Sequence, residues 1–178
     1  MDEEVRQLRH ENAAIHLSGG IVRLDLYRLF CYFYASKAFS EKTDGSDYCS
    51  FAPLRGEFEK EEVIRILVTS AIFGRRFEKR FISEGGPKEL SESSDIGILQ
   101  ENLNSEEVIT LNMREACNKI IHAEHIVIDE EEPGNPYYRW MKPEVHFYSS
   151  PTKSEGWKAT IEIDKFVTVF SDLASMYE

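Results

Sequence analysis

Three polar side chains recur at four-residue steps in the second half of this 178-residue chain: Arg114, Asn118 and His122. Residues four apart lie on one face of an α-helix, so a helix would present these three as a single stripe. A histidine can exchange a proton near neutral pH, and an arginine can stabilise the negative charge of a phosphorane. The stripe therefore carries residue types that suit RNA cleavage by the 2′-hydroxyl, in which a base and an acid move the protons.

The stripe requires a helix to hold it. Ser105 is a favourable N-cap followed by two glutamates, so a helix is predicted to begin there and to continue to about His125. Its apolar residues share an arc that is expected to face the core: Ile109, Met113, Ala116, Cys117, Ile120 and Ile121. The mixed face beside that arc predicts an interface formed by Leu111, Arg114, Asn118, His122 and His125.

The run Asn118-Lys119-Ile120-Ile121-His122-Ala123 resembles the signature helix of HEPN-type proteins. The resemblance implies a compact helical fold, frequent dimerisation and a role in bacterial or phage conflict systems. Active members are metal-independent RNases whose motif is an Arg followed, after four to six residues, by a His. His122 matches that His, and Asn118 matches the polar residue that usually follows the Arg. Cys117 occupies the Arg position, and seven residues separate Arg114 from His122.

Three functions remain open on these residues. The first is a non-catalytic acidic module that pairs with itself or with another protein. The second is a single-stranded RNase with Arg114, Asn118 and His122 as catalytic residues. Because Arg114 and His122 would lie about 12 Å apart along one helix, they could share a phosphate only across a dimer. The third is an acidic inhibitor, immunity protein or antitoxin that binds a basic partner and is unrelated to HEPN proteins. A plainer structural interpretation has Asn118 and His122 bonding to a neighbouring loop.

The charge balance favours the first function. The chain has 21 Lys+Arg against 32 Asp+Glu, a net charge of −11, which repels nucleic acid and favours a protein partner or a homodimer. One basic cluster runs against this balance and is a candidate contact for phosphate or a partner: Arg75, Arg76, Lys79 and Arg80. Capping of the helix C-terminus explains the cluster more simply.

Cofactors, metals and membranes are not indicated by the sequence. Cys31, Cys49 and Cys117 are widely spaced, which argues against a disulfide framework or a zinc site and suits a reducing cytoplasm. His122, His125 and His146 lack metal-site spacing. No uncharged run approaches 18 residues and the acidic start does not resemble a signal peptide, so no membrane contact is expected.

The pattern predicts an α+β fold, predominantly α, in a single domain over 1–178. Four main helices are expected in a bundle at about 2–125: 2–17, 20–40, 57–83 and 105–125. The second is apolar nearly all round and is predicted to be the central buried helix. A polar loop is expected at about 84–104. A small antiparallel sheet or hairpin and a last helix, capped by Asp164, are expected over about 126–177: the strands at 126–128, 145–148 and 157–163, then the helix.

Overall fold

The computed structural model describes residues 18–42, 51–83, 94–132, 139–149 and 156–176, with side chains of the second range from residue 54. These residues form an α+β protein with four α-helices and a five-stranded antiparallel sheet. The helices are α1 (Gly19–Lys42), α2 (Phe51–Ser83), α3 (Met113–His122) and α4 (Ile163–Ser175). The strands are β1 (Gly97–Gln100), β2 (Ile109–Leu111), β3 (His125–Glu131), β4 (Trp140–Tyr148) and β5 (Lys158–Glu162).

The sheet has the strand order β2-β1-β5-β4-β3. Two pairs of strands that are close in sequence, β1–β2 and β3–β4, lie on either side of β5. Leu99 of β1 pairs with Ala159 of β5, which in turn pairs with Phe147 of β4. The central strand therefore joins two hairpin-like halves that come from different parts of the chain.

The two faces of the sheet differ in burial. Side chains alternate across a strand, and the inner row Leu99, Ala159 and Phe147 is almost fully buried. On the outer face, the cross-strand row is exposed at its sides, where Ile98 and Val127 are 46% and 41% exposed. Only its centre is buried, where Thr160 pairs with His146. Three helices cover the inner face: α1 packs on β4, α4 on β4 and β5, and α3 on the same two strands. The helix α2 packs on these three helices.

A buried carboxylate connects α1 to α2. The guanidinium of Arg65 donates two parallel hydrogen bonds to Asp25, at 3.0 and 3.1 Å, and Arg28 donates a third at 3.3 Å. Asp25 is only 5% exposed, so this bidentate pairing satisfies a charge that would otherwise be costly to bury. The pairing explains why an otherwise apolar face of α1 tolerates an acid.

Two glycines permit close packing. A Cβ on Gly74 of α2 would lie 2.8 Å from Cε1 of Phe170 and 2.9 Å from Sγ of Cys117, so α2 approaches α3 and α4 closely only without a side chain there. A Cβ on Gly97 would overlap the backbone oxygen of Thr160. Glycine at these positions therefore reflects steric contact between elements rather than chain flexibility.

The predicted order of elements is only partly confirmed. Helices at 20–40 and 57–83 are present as α1 and α2, and strands occur near all three predicted positions. The prediction of a polar loop at 84–104 is wrong over its second part, because 97–100 form β1. The sheet therefore begins before α3 instead of following a complete bundle. The predicted helix at 2–17 and Cys49 lie outside the described residues.

The predicted helix boundaries also need correction. The helix expected to begin at Ser105 begins at Met113, because Ile109–Leu111 pair with β1 as a strand. Ser105 instead accepts a hydrogen bond from the amide of Glu107. The last helix begins at Ile163 with Glu162 at the N-cap, and Asp164 accepts a bond from Tyr34 rather than capping it.

No helix in the described ranges combines the length and apolar character that crossing a membrane requires.

Candidate functional site

The polar stripe is held by α3, whose start is fixed by a side-chain cap. The side chain of Asn112 accepts a hydrogen bond from the amide of Glu115 at 2.9 Å, and the amide of Met113 donates to Ser94 at 2.8 Å. These bonds satisfy amides that the first turn of a helix leaves unpaired. The buried side chains of α3 are Met113, Ala116, Cys117 and Ile120.

The apolar arc is therefore narrower than predicted. Ile109 and Ile121 were expected in the core but are 46% and 40% exposed. Ile109 lies on the edge strand β2, and Ile121 lies in the last turn of α3, next to the buried Ile120 but on the exposed side of the helix.

The predicted interface is divided between three elements. Arg114, Asn118 and His122 lie on α3, with Arg114 and His122 exposed and Asn118 half-buried. Leu111 is fully buried on β2, and His125 is an exposed residue that begins β3. The helical row of three is present, but Leu111 cannot contact a partner and the prediction of a continuous five-residue helical face is wrong.

Arg114 faces a carboxylate from the neighbouring helix. Its Nε lies 3.7 Å from Oε1 of Glu78 on α2, and the other carboxylate oxygen lies 3.6 Å from the guanidinium of Arg75. Glu78 is 8% exposed. One carboxylate with little exposure thus lies between two cations, where it offsets the positive charge that phosphate binding by Arg114 would use.

Asn118 bonds within its own helix. Its Nδ2 donates to Glu115 at 3.4 Å, one turn earlier, which differs from the expected bond to a neighbouring loop. Lys119 lies over the ring of Trp157, 4.6 Å from its centroid, and thereby connects α3 to the residue before β5.

The basic cluster on α2 has two environments. Arg75 is half-buried and interacts with Glu78, whereas Arg76, Lys79 and Arg80 are exposed. Arg80 is the basic residue of the last turn, where a cation favours the carbonyl end of the helix dipole. Contact of the cluster with phosphate or a partner remains a prediction.

The cysteines have unequal surroundings. Cys117 is fully buried, as predicted, and burial raises the pKa of its thiol from 9.0 to about 12. Such a thiol is protonated at neutral pH and is a poor nucleophile. Cys31 on α1 is half-buried.

A hydroxyl, an imidazole and a carboxylate meet on the outer face of the sheet. His146 lies 2.9 Å from the hydroxyl of Thr160 and 3.3 Å from the carboxylate of Asp129. Because His146 and Thr160 are both less than a tenth exposed, this cross-strand network suits a structural role. Within the described residues, no group of three or more His, Cys, Asp or Glu has the arrangement of a metal site.

The largest departure from expectation is on α1. This helix was predicted to be central and buried, but its outer side is exposed, because α2, α4 and β4 cover only the remainder. We define the α1 outer face by five large apolar residues with their exposed fractions: Ile21 51%, Leu24 49%, Tyr27 67%, Phe30 40% and Tyr34 50%. The sequence signal for this face was the presence of apolar residues all around the helix. That pattern predicts burial, but it does not show whether the same chain or another molecule covers each side.

Two grooves border the α1 outer face. One, of about 500 Å³, lies between α1 and the first half of α2, with Cys31, Ala35 and Phe58 among its lining residues. The other, of about 460 Å³, lies between α1 and α4, with Tyr27, Phe30 and Val167 among its lining residues. The exposed side of α1 thus lies between two grooves, into which side chains of a partner can fit.

Comparisons of the chain with protein-family models, with curated proteins and with solved structures gave no match.

Proposed function

We propose that the chain is a non-catalytic protein-interaction module whose binding surface is the α1 outer face. The observation that carries this proposal is the exposure of five large apolar side chains at steps of three and four residues along one helix of a domain with an extensive buried core. Exposed apolar residues scattered singly need no explanation, whereas a contiguous patch is typical of a contact surface.

The area of the patch supports a protein partner. With aromatic side chains of about 150–250 Å² and slightly smaller aliphatic ones, the five residues expose about 500 Å² of apolar surface. A standard interface buries about 800 Å² per partner, of which roughly three-fifths is apolar. The patch therefore has about the apolar area that one side of a stable protein complex requires.

The geometry on α3 gives less support to the alternative RNase. Arg114 and His122 occupy one exposed helix, as that function needs, but Glu78 lies beside the only arginine of the stripe. The net charge of −11 also opposes the approach of RNA. The function as an acidic inhibitor of a basic partner gains no support from the α1 outer face, because exposed cations flank that face: Arg23, Arg28 and Lys37.

Site-specific photocrosslinking tests the proposal. A photoreactive phenylalanine analogue replaces Tyr27 in the full-length chain, expressed in the cells from which the protein comes. The control places the same analogue at Glu144, an exposed residue of β4. We expect intermolecular protein adducts from position 27 and none above background from position 144. The proposal fails if position 27 forms no protein adduct, or only an adduct within its own chain.

A nuclease assay tests the alternative. Purified wild-type protein and His122→Ala are incubated with single-stranded RNA in EDTA. We expect equal, background-level cleavage from both proteins. Cleavage by the wild type that His122→Ala abolishes would overturn the non-catalytic part of the proposal and restore the RNase hypothesis.

A further inference from the structure

We infer that the partner of the α1 outer face is a second copy of this chain, with the two α1 helices packed antiparallel about a two-fold axis. This inference rests on the proposed function and specifies its partner. It concerns α1 and not the polar stripe of α3, so it does not depend on whether the chain is related to HEPN proteins.

The spacing along α1 is that of a helix-pairing seam. We define the seam by six residues of α1 that follow one another at alternating steps of four and three: Gly20, Leu24, Tyr27, Cys31, Tyr34 and Ala38. All six are exposed except Cys31, which is half-buried. Alternating steps of three and four define the a and d positions of paired helices. The seam extends over about 27 Å at 1.5 Å per residue, long enough for several layers of contact.

The seam also complements the seam of a second copy that runs in the opposite direction. If the two-fold axis lies at the level of Leu29, Leu24 faces Tyr34 of the second copy and Tyr27 faces Cys31. The terminal layer places Gly20 opposite Ala38. Large side chains thus meet smaller ones in the two layers nearest the axis, and two small residues meet at each end. An isologous interface requires this kind of match of one patch with itself.

Local contacts hold Tyr34 of the seam in place. The hydroxyl of Tyr34 donates to the carboxylate of Asp164, with 2.6 Å to either oxygen, and this hydrogen bond raises the pKa of Tyr34. Phe30 stacks on Tyr34 with ring centroids 4.4 Å apart. Aromatic groups that are already positioned lose less conformational freedom on association, which favours binding.

The flanking charges make the inference testable by salt. Three cations flank the seam: Arg23, Arg28 and Lys37. Arg28 is bonded to Asp25, and Lys37 lies 4.9 Å from the ring centroid of Trp140, so both have partners within the chain. In the antiparallel register, Arg28 lies near Arg28 of the second copy. Self-association should therefore strengthen as salt screens this repulsion, whereas binding of an acidic partner should weaken.

Cysteine crosslinking tests the register. Leu24→Cys and Tyr34→Cys are combined in the full-length chain with Cys31→Ser and Cys49→Ser. The antiparallel register places the thiol introduced at position 24 opposite the thiol introduced at position 34 of the other copy, within disulfide range. Within one chain the two positions lie about 15 Å apart, too far for a disulfide. We expect a disulfide dimer on mild oxidation of the double-cysteine variant. The matched control, Leu24→Cys alone in the same background, should remain monomeric on a non-reducing gel.

Sedimentation of the unmodified wild type provides a readout that needs no substitution in the seam. We expect a concentration-dependent dimer that strengthens between low and high salt and that Tyr27→Arg weakens at least about 30-fold. A wild type that stays monomeric at about 100 µM in both salts overturns the inference. So does crosslinking of the Leu24→Cys control, which would indicate a parallel register. Adducts at position 27 with a different protein alone would overturn the second-copy inference while preserving the proposed function.

Discussion

Nε of Arg114 on α3 lies 3.7 Å from Oε1 of Glu78 on α2. The arginine is about half exposed and the glutamate is nearly buried, so the pair spans the edge of the contact between the two helices. The side chain that the sequence suggested for phosphate chemistry is thereby placed beside an anion. This arrangement favours a structural role for Arg114. It also implies that substitutions of Glu78 and of Arg114 change the stability of the chain by different amounts.

Glu78→Gln should lower the free energy of unfolding by about 1–3 kcal/mol at pH 7, because Arg75 and Arg114 lose the carboxylate between them. Arg114→Ala should change the free energy of unfolding by less than about 1 kcal/mol, since the arginine side chain is about half exposed and solvent screens its ion pair. Urea denaturation followed by circular dichroism measures both. The control is Glu132→Gln, which removes an exposed ion pair with Arg139 and should have almost no effect. Equal losses from Glu78→Gln and Glu132→Gln would contradict this account.

The thiol of Cys117 should make stability depend on alkaline pH. Burial raises its pKa to about 12 in the folded chain from 9.0, so the folded state retains a proton that the unfolded state releases. The resulting stabilisation is complete below pH 9 and is lost as pH rises from about 9 to 12, by at most about 1.4 kcal/mol per pH unit.

The comparison of wild type with Cys117→Ala isolates this effect from the titration of other groups. Between about pH 8 and pH 10.5, the stability advantage of the wild type should shrink by about 2 kcal/mol, as measured by urea denaturation at each pH. Parallel stability curves for the two proteins would show that the buried thiol does not control the alkaline dependence.

Two glycines of α2 should respond oppositely to the same substitution. Gly74→Ala places a methyl group against Phe170 and Cys117 and should destabilise the chain by about 1–3 kcal/mol. Gly56→Ala has no atom within 4 Å of the new Cβ and should stabilise it by up to about 1 kcal/mol, since alanine favours a helix. Thermal unfolding of both variants measures the contrast. A stabilising Gly74→Ala would contradict the close packing of α2 described above.

The sequence predicted the long helices better than the short elements around α3. Apolar periodicity marks α1 and α2 because both exceed twenty residues. Residues 109–111 form a strand of only three residues, and the favourable cap at Ser105 suggested a helix across them. A correct signal was present at Asn112, three residues before Glu115, because that spacing is typical of a capping box.

The candidate sites illustrate a different limit. Helical spacing correctly placed Arg114, Asn118 and His122 on one helix, but the contribution of Glu78 comes from 36 residues earlier in the chain and has no local signature. The apolar composition of α1 predicted burial without distinguishing burial by the same chain from burial by another molecule. Tertiary contacts determine both the charge next to Arg114 and the side of α1 that is covered. No short pattern in a single sequence shows these contacts.

The position of β5 at the centre of the sheet has a consequence for biosynthesis. Both neighbours of this strand precede it in the chain, so β1 and β4 present unpaired backbone edges until residues 158–162 have left the ribosome. Hairpins β1–β2 and β3–β4 can form early, yet neither can complete its hydrogen bonding with the other half. The nascent polypeptide should thus be most prone to mispairing after β4 and before β5 emerges, and chaperone binding should concentrate in that interval.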